Sequence, residues 1–188
     1  YGKSPNDVSV TVSETISAGA VGINIEDSNK SGPRKLLDLK LSVERIQAAR
    51  QVVDAAGIPV VINARTDGYM LGSDKDMFDE TVLRSNAYLK AGADCAFVMG
   101  VRNRELIARL VEDINGPLNV LAGPGSPTVS ELQEIGVSRV TVGGNIAKAA
   151  YSLVKKAANE LKGLGTYEFA SGIYSQPEMH RIIKGERS

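Results

Sequence analysis

Two adjacent carboxylates and one arginine are the side chains best placed for chemistry. Glu26 and Asp27 close the apolar run Val21-Gly22-Ile23-Asn24-Ile25, and Arg65 follows Val60-Val61-Ile62-Asn63-Ala64. A strand buried on both faces of a parallel sheet is apolar throughout, so a run that turns charged at its last step delivers that charge to the mouth of the sheet. Hard carboxylate oxygens there suit Mg2+ or Mn2+, which keep several waters and need only one or two protein ligands. The alternative for either acid is to pair with a neighbouring arginine or to cap the next helix. Being adjacent, Glu26 and Asp27 point to opposite sides. Arg65 would meet a carboxylate or phosphate, which its planar fork grips in two parallel hydrogen bonds. Its internal partners would be Glu26 or Asp67, and it can hold one of these and a substrate together.

Weaker candidates surround these three. Asn63, two residues before Arg65, is grouped with it as a substrate contact. Gly123-Pro124-Gly125 and Gly143-Gly144-Asn145 follow the last two apolar runs, where barrels commonly bind phosphate on backbone N–H groups. Gly123 and Gly143 are therefore candidate substrate contacts, although glycine serves a tight turn equally well. Cys95 begins a strand and reads as a buried, inert thiol. His180 lies in the C-terminal tail, away from the strand ends, and no Ser-His-Asp or Cys-His pair stands among the strand ends.

The elements that must position these residues repeat. Five apolar runs, near residues 21–26, 59–64, 95–99, 118–122 and 139–142, each precede an amphipathic helical pattern, which is the sequence form of a βα unit. A helix with Val8, Val12 and Ile16 precedes the first run and stops at Gly19. Ser42 is expected to cap the next helix, with Val43, Ile46, Ala49, Val53 and Ala56 inward and Gly57 at its end. A helix from about Asp76 to Lys90 presents Phe78, Val82 and Leu89. Asn103 caps a further helix, Thr128 and Glu131 form a capping box, and a long helix runs from about Ile146 to Lys162. Pro177 to Ile183 suggest one more. The polar stretch from Ser28 to Lys40 beside the carboxylates reads either as a lid or as a solvated loop.

Composition excludes several classes. With 22 basic and 22 acidic side chains among 188 residues the formal net charge is zero, which gives no electrostatic case for nucleic acid or an anionic membrane. No run is long and apolar enough to span a bilayer. One cysteine allows no internal disulfide, so a reducing cytoplasm is the expected setting.

An eight-stranded barrel needs eight βα units and typically about 250 residues. Five units are present and a helix precedes the first, so the expectation is an α/β chain forming the later part of a (β/α)8 TIM barrel over residues 1–163. The first three strands would lie before Tyr1, and residues 164–188 would be a tail or helix packing on the barrel or on a partner subunit. An open doubly wound sheet is the competing fold, but no Gly-x-Gly-x-x-Gly follows any strand.

At Gly22-Ile23-Asn24-Ile25-Glu26-Asp27-Ser28, with Asn63-Ala64-Arg65-Thr66-Asp67 and Ala91-Gly92-Ala93-Asp94, the sequence resembles the isocitrate lyase / phosphoenolpyruvate mutase superfamily up to about Gly163. The resemblance implies a (β/α)8 barrel that makes or breaks C–C or P–C bonds in 2-oxo or 2-hydroxy acids with Mg2+ at the strand ends. It makes Glu26 a metal-site residue, directly or through water, and Arg65 the holder of a substrate carboxylate or phosphonate. Tyr1-Gly2 looks like the end of the family's Asp-rich segment, which puts the other metal carboxylates before Tyr1. The loop Ser28-Asn29-Lys30-Ser31-Gly32-Pro33-Arg34-Lys35 has neither the Cys nor the His of the isocitrate and methylisocitrate lyases, which argues against both activities. The mutase's His is absent at Met99-Gly100. What the resemblance leaves is a Mg2+-dependent carbon–carbon lyase or decarboxylase of a small oxo or hydroxy acid, in a homo-oligomer, a tetramer by resemblance. The rivals are a P–C bond hydrolase or mutase on a phosphono-oxo acid and a barrel that binds a ligand without turnover.

Overall fold

The computed structural model describes residues 2–29, 35–71 and 77–186. The chain forms two compact units, Tyr1–Val142 and Gly143–Ser188. In the first, helix α1 (Pro5–Ser17) leads into β1 (Gly22–Glu26), α2 (Leu39–Ala56), β2 (Val61–Thr66), the short α3 (Gly68–Leu71), α4 (Met77–Lys90), β3 (Cys95–Val98), α5 (Arg104–Asp113), β4 (Leu118–Leu121), α6 (Val129–Glu134) and β5 (Arg139–Thr141). The five strands are parallel and lie in the order in which they occur in the chain. A doubly wound sheet reverses its strand order at a switch point. Here every strand adds to the same side of the one before it, as in a barrel, and the five strands do not close.

Alternation along each strand divides the side chains between two faces. Ile25, Ile62 and Ala64 join Val8 and Val12 of α1 and Ile46, Ala49 and Val53 of α2 in one buried cluster. Ala96, Val98, Leu118 and Val120 join Ile107, Leu110 and Leu132 in a second. The opposite face carries Asn24, Glu26, Asn63, Arg65, Phe97, Asn119 and Arg139. Glu26, Arg65, Phe97, Asn119 and Arg139 are register partners in one row across all five strands.

The helix ends follow local chemistry. Ser4 with Asp7 and Thr128 with Glu131 form capping boxes, and Asn103 accepts from the Leu106 N–H at 2.8 Å. Gly57 ends α2 in the left-handed region at φ 64°, where a side chain would be strained. Four expectations change. Asp38, not Ser42, caps α2, because its carboxylate reaches the Leu41 N–H, and Ser42 is buried inside the first turn. Ala56 is exposed, since the last turn of α2 runs past the sheet. Arg65 and Thr66 belong to β2 and do not follow it, because Glu26 and Val98 of the flanking strands extend far enough to pair with them. The most buried stripe of α4 is Thr81, Arg84, Ser85 and Tyr88, while Phe78, Val82 and Leu89 are only partly buried against the second cluster.

The second unit holds α7 (Asn145–Gly163), a 3-10 turn (Glu168–Ala170) and α8 (Gln176–Ile183). Glu160 of α7 accepts from Thr166 Oγ1 and from the backbone N–H groups of Glu168 and Phe169, which ties the turn to the helix. Ser175 and Glu178 cap α8 reciprocally, and His180 lies exposed on it. Among the described residues no helix is long and apolar enough to cross a membrane.

Candidate active site

The C-terminal ends of β1 and β2 bring together two of the charged residues singled out in the sequence. Arg65 donates from Nε to Asp67 Oδ1 at 2.7 Å, and its Nη1 lies 3.3 Å from Glu26 Oε1. Its guanidinium carbon stands 5.9 Å from the centre of the Phe97 ring, the next residue in the row. Both internal partners foreseen for the arginine are therefore engaged at once. Among the described residues Nη2 has no hydrogen-bond partner, so it is the donor still available to an incoming anion. Asp67 is fully buried and also accepts from Ser28 Oγ at 2.5 Å.

Asp27 turns away from Glu26, as adjacent strand residues must, and is 2 % exposed. Its Oδ1 accepts the Asp67 N–H at 2.9 Å, and its Oδ2 accepts the Tyr88 hydroxyl at 2.8 Å and lies 3.5 Å from Arg84 Nη1. Burial raises its pKa above the ordinary carboxylate value, against the opposing pull of the Asp67 N–H, the Tyr88 hydroxyl and the Arg84 charge. Burial likewise pushes the Tyr88 phenol well up, helped by the carboxylate beside it. Arg84 also donates to Glu80 at 2.6 Å and to the Leu37 carbonyl at 3.0 Å. Arg45 of α2, itself buried, donates to the Glu26 carbonyl at 2.8 Å and to the Gly2 carbonyl at 3.0 Å.

The chain leaving β1 is pinned at its base. Ser28 and Leu36 form an antiparallel bridge, Asn29 N donates to Lys35 O, and Leu37 N donates to Asp27 O, each at 2.8 Å. The centre of the lid or loop foreseen there, residues 30–34, lies outside the described residues, as do Tyr1 and Asp76.

The other sequence candidates stand apart from this cluster. Asn63 donates to Asn24 Oδ1 at 2.6 Å and is buried one layer below Arg65. With Gly22, Asn24 and Arg139 it lines a cavity of about 500 Å3 toward the N-terminal ends of the strands. The Gly123 N–H is already donated to Ser126 Oγ at 3.0 Å. Gly143 opens the second unit. Cys95 is buried, and burial raises its thiol pKa to about 11.

Among the described residues no three His, Cys, Asp or Glu side chains converge as a metal cage. Asp27 and Asp67 are committed to protein donors, and Glu26, which also meets the Arg65 guanidinium, faces the mouth of the sheet. That donor set does not fit a closed zinc-type site, but one carboxylate does fit a hard divalent ion that keeps most of its water. Sequence reasoning offered Glu26 or Asp67 as the partner of Arg65, where the structure engages both, and missed Arg84 and Tyr88. Their signal was the spacing Thr81, Arg84, Ser85, Tyr88, one stripe of a helix made of polar residues.

Known proteins share this arrangement of elements. An uncharacterized protein of Mycobacterium tuberculosis is 36% identical over 143 residues, which are 76% of this chain and 51% of that one. The oxaloacetate decarboxylase of Pseudomonas entomophila is 33% identical over 195 residues, covering 95% of this chain and 63% of the enzyme. A Burkholderia cenocepacia J2315 protein described only as a lyase/mutase superposes with TM-score 0.89 at 33% identity, over 97% of this chain and 66% of that one. A phosphonopyruvate hydrolase solved with oxalate and Mg2+ has the same fold, with TM-score 0.78 at 24% identity over 98% and 66% of the two chains. The chain thus spans between half and two thirds of the length of these proteins. A family model described as phosphoenolpyruvate phosphomutase matches residues 1–162, and with the sequential parallel sheet and the Glu26–Arg65 pair at its mouth, the chain belongs to the phosphoenolpyruvate phosphomutase family.

Proposed function

We propose that the full-length protein is a Mg2+- or Mn2+-dependent carbon–carbon lyase or decarboxylase acting on a small 2-oxo or 2-hydroxy acid. The observation that carries this reading is the Arg65 guanidinium, fixed on two edges by Asp67 and Glu26 with Nη2 still open. A planar fork held this way orients a substrate carboxylate in advance, and positioning of this kind is a large part of what an enzyme does for a bond cleavage. Glu26 would hold the divalent ion, directly or through water, together with oxygen donors from elsewhere in the full-length protein. When bound, the ion supplies the positive charge that an enolate oxygen needs as the C–C bond breaks. The buried Asp67 keeps the arginine's charge compensated while no substrate is present. Asn63, Gly123 and Gly143 are secondary candidates for substrate contact, and small oxo acids are the partners expected.

Support comes also from the oxaloacetate decarboxylase relative and from the oxalate bound by a protein of the same fold. The test is Mg2+-dependent release of pyruvate from oxaloacetate by the full-length protein. Arg65→Ala is expected to lower turnover by at least about 100-fold, the scale on which loss of a transition-state contact registers, with the circular dichroism spectrum unchanged. Full activity in that variant would sink the reading. One second reading is P–C bond cleavage in a phosphono-oxo acid by the same two residues: the family model is described as a phosphomutase, and a protein of the same fold is a phosphonopyruvate hydrolase. Release of inorganic phosphate from phosphonopyruvate distinguishes it.

A further inference from the structure

Behind Arg65, on the helix side of the sheet, the fold buries a second charged group that touches no substrate position. Asp27, Arg84 and Tyr88 are 2 %, 6 % and 2 % exposed. Burying an acid and a base costs desolvation that well-packed apolar residues would avoid, so such a group calls for a reason beyond stability. Its hydrogen bonds lead in one direction. The Tyr88 hydroxyl donates to Asp27 Oδ2, Asp27 Oδ1 accepts the Asp67 N–H, and Asp67 Oδ1 accepts Arg65 Nε, at 2.8, 2.9 and 2.7 Å. Each link joins a different pair of elements: α4 to the end of β1, the end of β1 to the residue after β2, and that residue back to the C-terminal end of β2. The Asp67 carbonyl accepts the Met70 N–H at 2.9 Å, and Ser28 Oγ holds the far oxygen of its carboxylate.

We infer that Asp27 and Tyr88 are positioning residues that set the angle of the Arg65 fork through Asp67. This rests on the reading of Arg65 as the substrate-carboxylate clamp. The chain of three hydrogen bonds converts the fixed place of α4 into a fixed direction for the guanidinium. Misplacing a reacting partner by about 1 Å costs on the order of 100-fold in rate, so a relay of this length is a sensitive point of control.

The test uses the full-length protein with Mg2+, oxalate as binding probe and oxaloacetate as substrate, below the melting temperature of every variant. Tyr88→Phe keeps the ring and removes the hydroxyl. It is expected to weaken oxalate binding and lower kcat/KM roughly tenfold in the wild-type background, and to change both much less in Arg65→Lys, where the oriented fork is already gone. Asp27→Asn, which retains an oxygen to accept the Asp67 N–H, is expected to recover most of what Asp27→Leu loses. Equal fold losses from Tyr88→Phe in both backgrounds would mark a purely structural role and overturn the inference, as would no loss in the wild-type background. If Asp27→Leu fails to fold, the Tyr88→Phe cycle decides alone. Should Arg65→Lys itself leave oxalate binding and turnover unchanged, the clamp reading fails first and takes the relay with it.

Discussion

Strand β2 is tied at its two ends by the same device in two different environments. At its start, the Ile62 N–H donates to Asp94 Oδ2 at 2.7 Å, and Arg50 of α2 pairs with the same oxygen at 2.6 Å. Just beyond its end, the Asp67 N–H donates to Asp27, and Arg84 of α4 stands beside that acid. The lower acid and base are 44% and 24% exposed in their side chains, the upper pair 2% and 7%. Water therefore screens the lower pair, whose geometry is the shorter, and leaves the upper pair to the protein alone. Distance says little about which pair the fold depends on. Burial decides it, and the buried one stands beneath the candidate active site.

Removing one member of each pair is the sharpest way to break this comparison. Arg84→Met should cost about 3–5 kcal/mol in urea denaturation, because it leaves the Asp27 carboxylate buried without its cation. Tyr88→Phe strands one acceptor of the same carboxylate and should cost about 1–3 kcal/mol. Arg50→Met, at the screened end, should cost about 1 kcal/mol or less by the same measurement. Equal losses for the two arginine variants would mean that burial is not what separates the ends.

The smallest effects concern pH, and they carry opposite signs. Burial raises the pKa of Asp27 above its ordinary 3.8, so the folded state binds the proton more tightly than the unfolded chain. Its contribution to stability is greatest below 3.8 and falls as pH rises through the raised value. The capping acid Glu131 is held below its ordinary 4.5 by its hydrogen bonds with Thr128, so its contribution is present above 4.5 and is lost as pH falls through the lowered value. Compared with wild type across pH 3 to 7, Asp27→Asn should therefore gain in relative stability as pH rises, and Glu131→Gln should lose. Parallel pH profiles for the two variants would contradict the opposed shifts.

Much of this was legible in the residues. Strand positions came from apolar runs ending in charge, two helix starts came from Asn103 and Thr128, because capping is a local event, and the first helix came from the spacing of Val8, Val12 and Ile16 before Gly19. The Glu26, Asp67 and Arg65 cluster was legible because adjacent strands with the same length of apolar run end at the same height. Arg84 and Tyr88 were not, because apolar spacing is what marks an inward helix face and α4 turns a polar stripe inward toward Asp27. The Asp38 cap was hidden for a similar reason: Ser42 is an equally good capping residue by type, and only the path of the chain leaving β1 puts Asp38 at the helix start. The Ala91-Gly92-Ala93-Asp94 motif resolves into packing. Gly92 sits at φ 108° with Arg50 Cγ 2.8 Å from where a Cβ would be, and its carbonyl accepts from Arg50 Nε.

The pinned base between Ser28 and Leu36 has a consequence for how such a protein changes over generations. With Asn29 joined to Lys35 and Leu37 to Asp27 by backbone hydrogen bonds, the number of residues between them can change without moving Glu26 or Arg65. Each doubling of a flexible loop costs only about 0.6 kcal/mol in closure entropy. A change in the number of residues between the pinned positions is thereby cheap for the fold, and selection is free to try new lengths there while the Glu26–Arg65 pair stays in place. One scaffold can in this way be diversified by edits to a handful of adjacent codons.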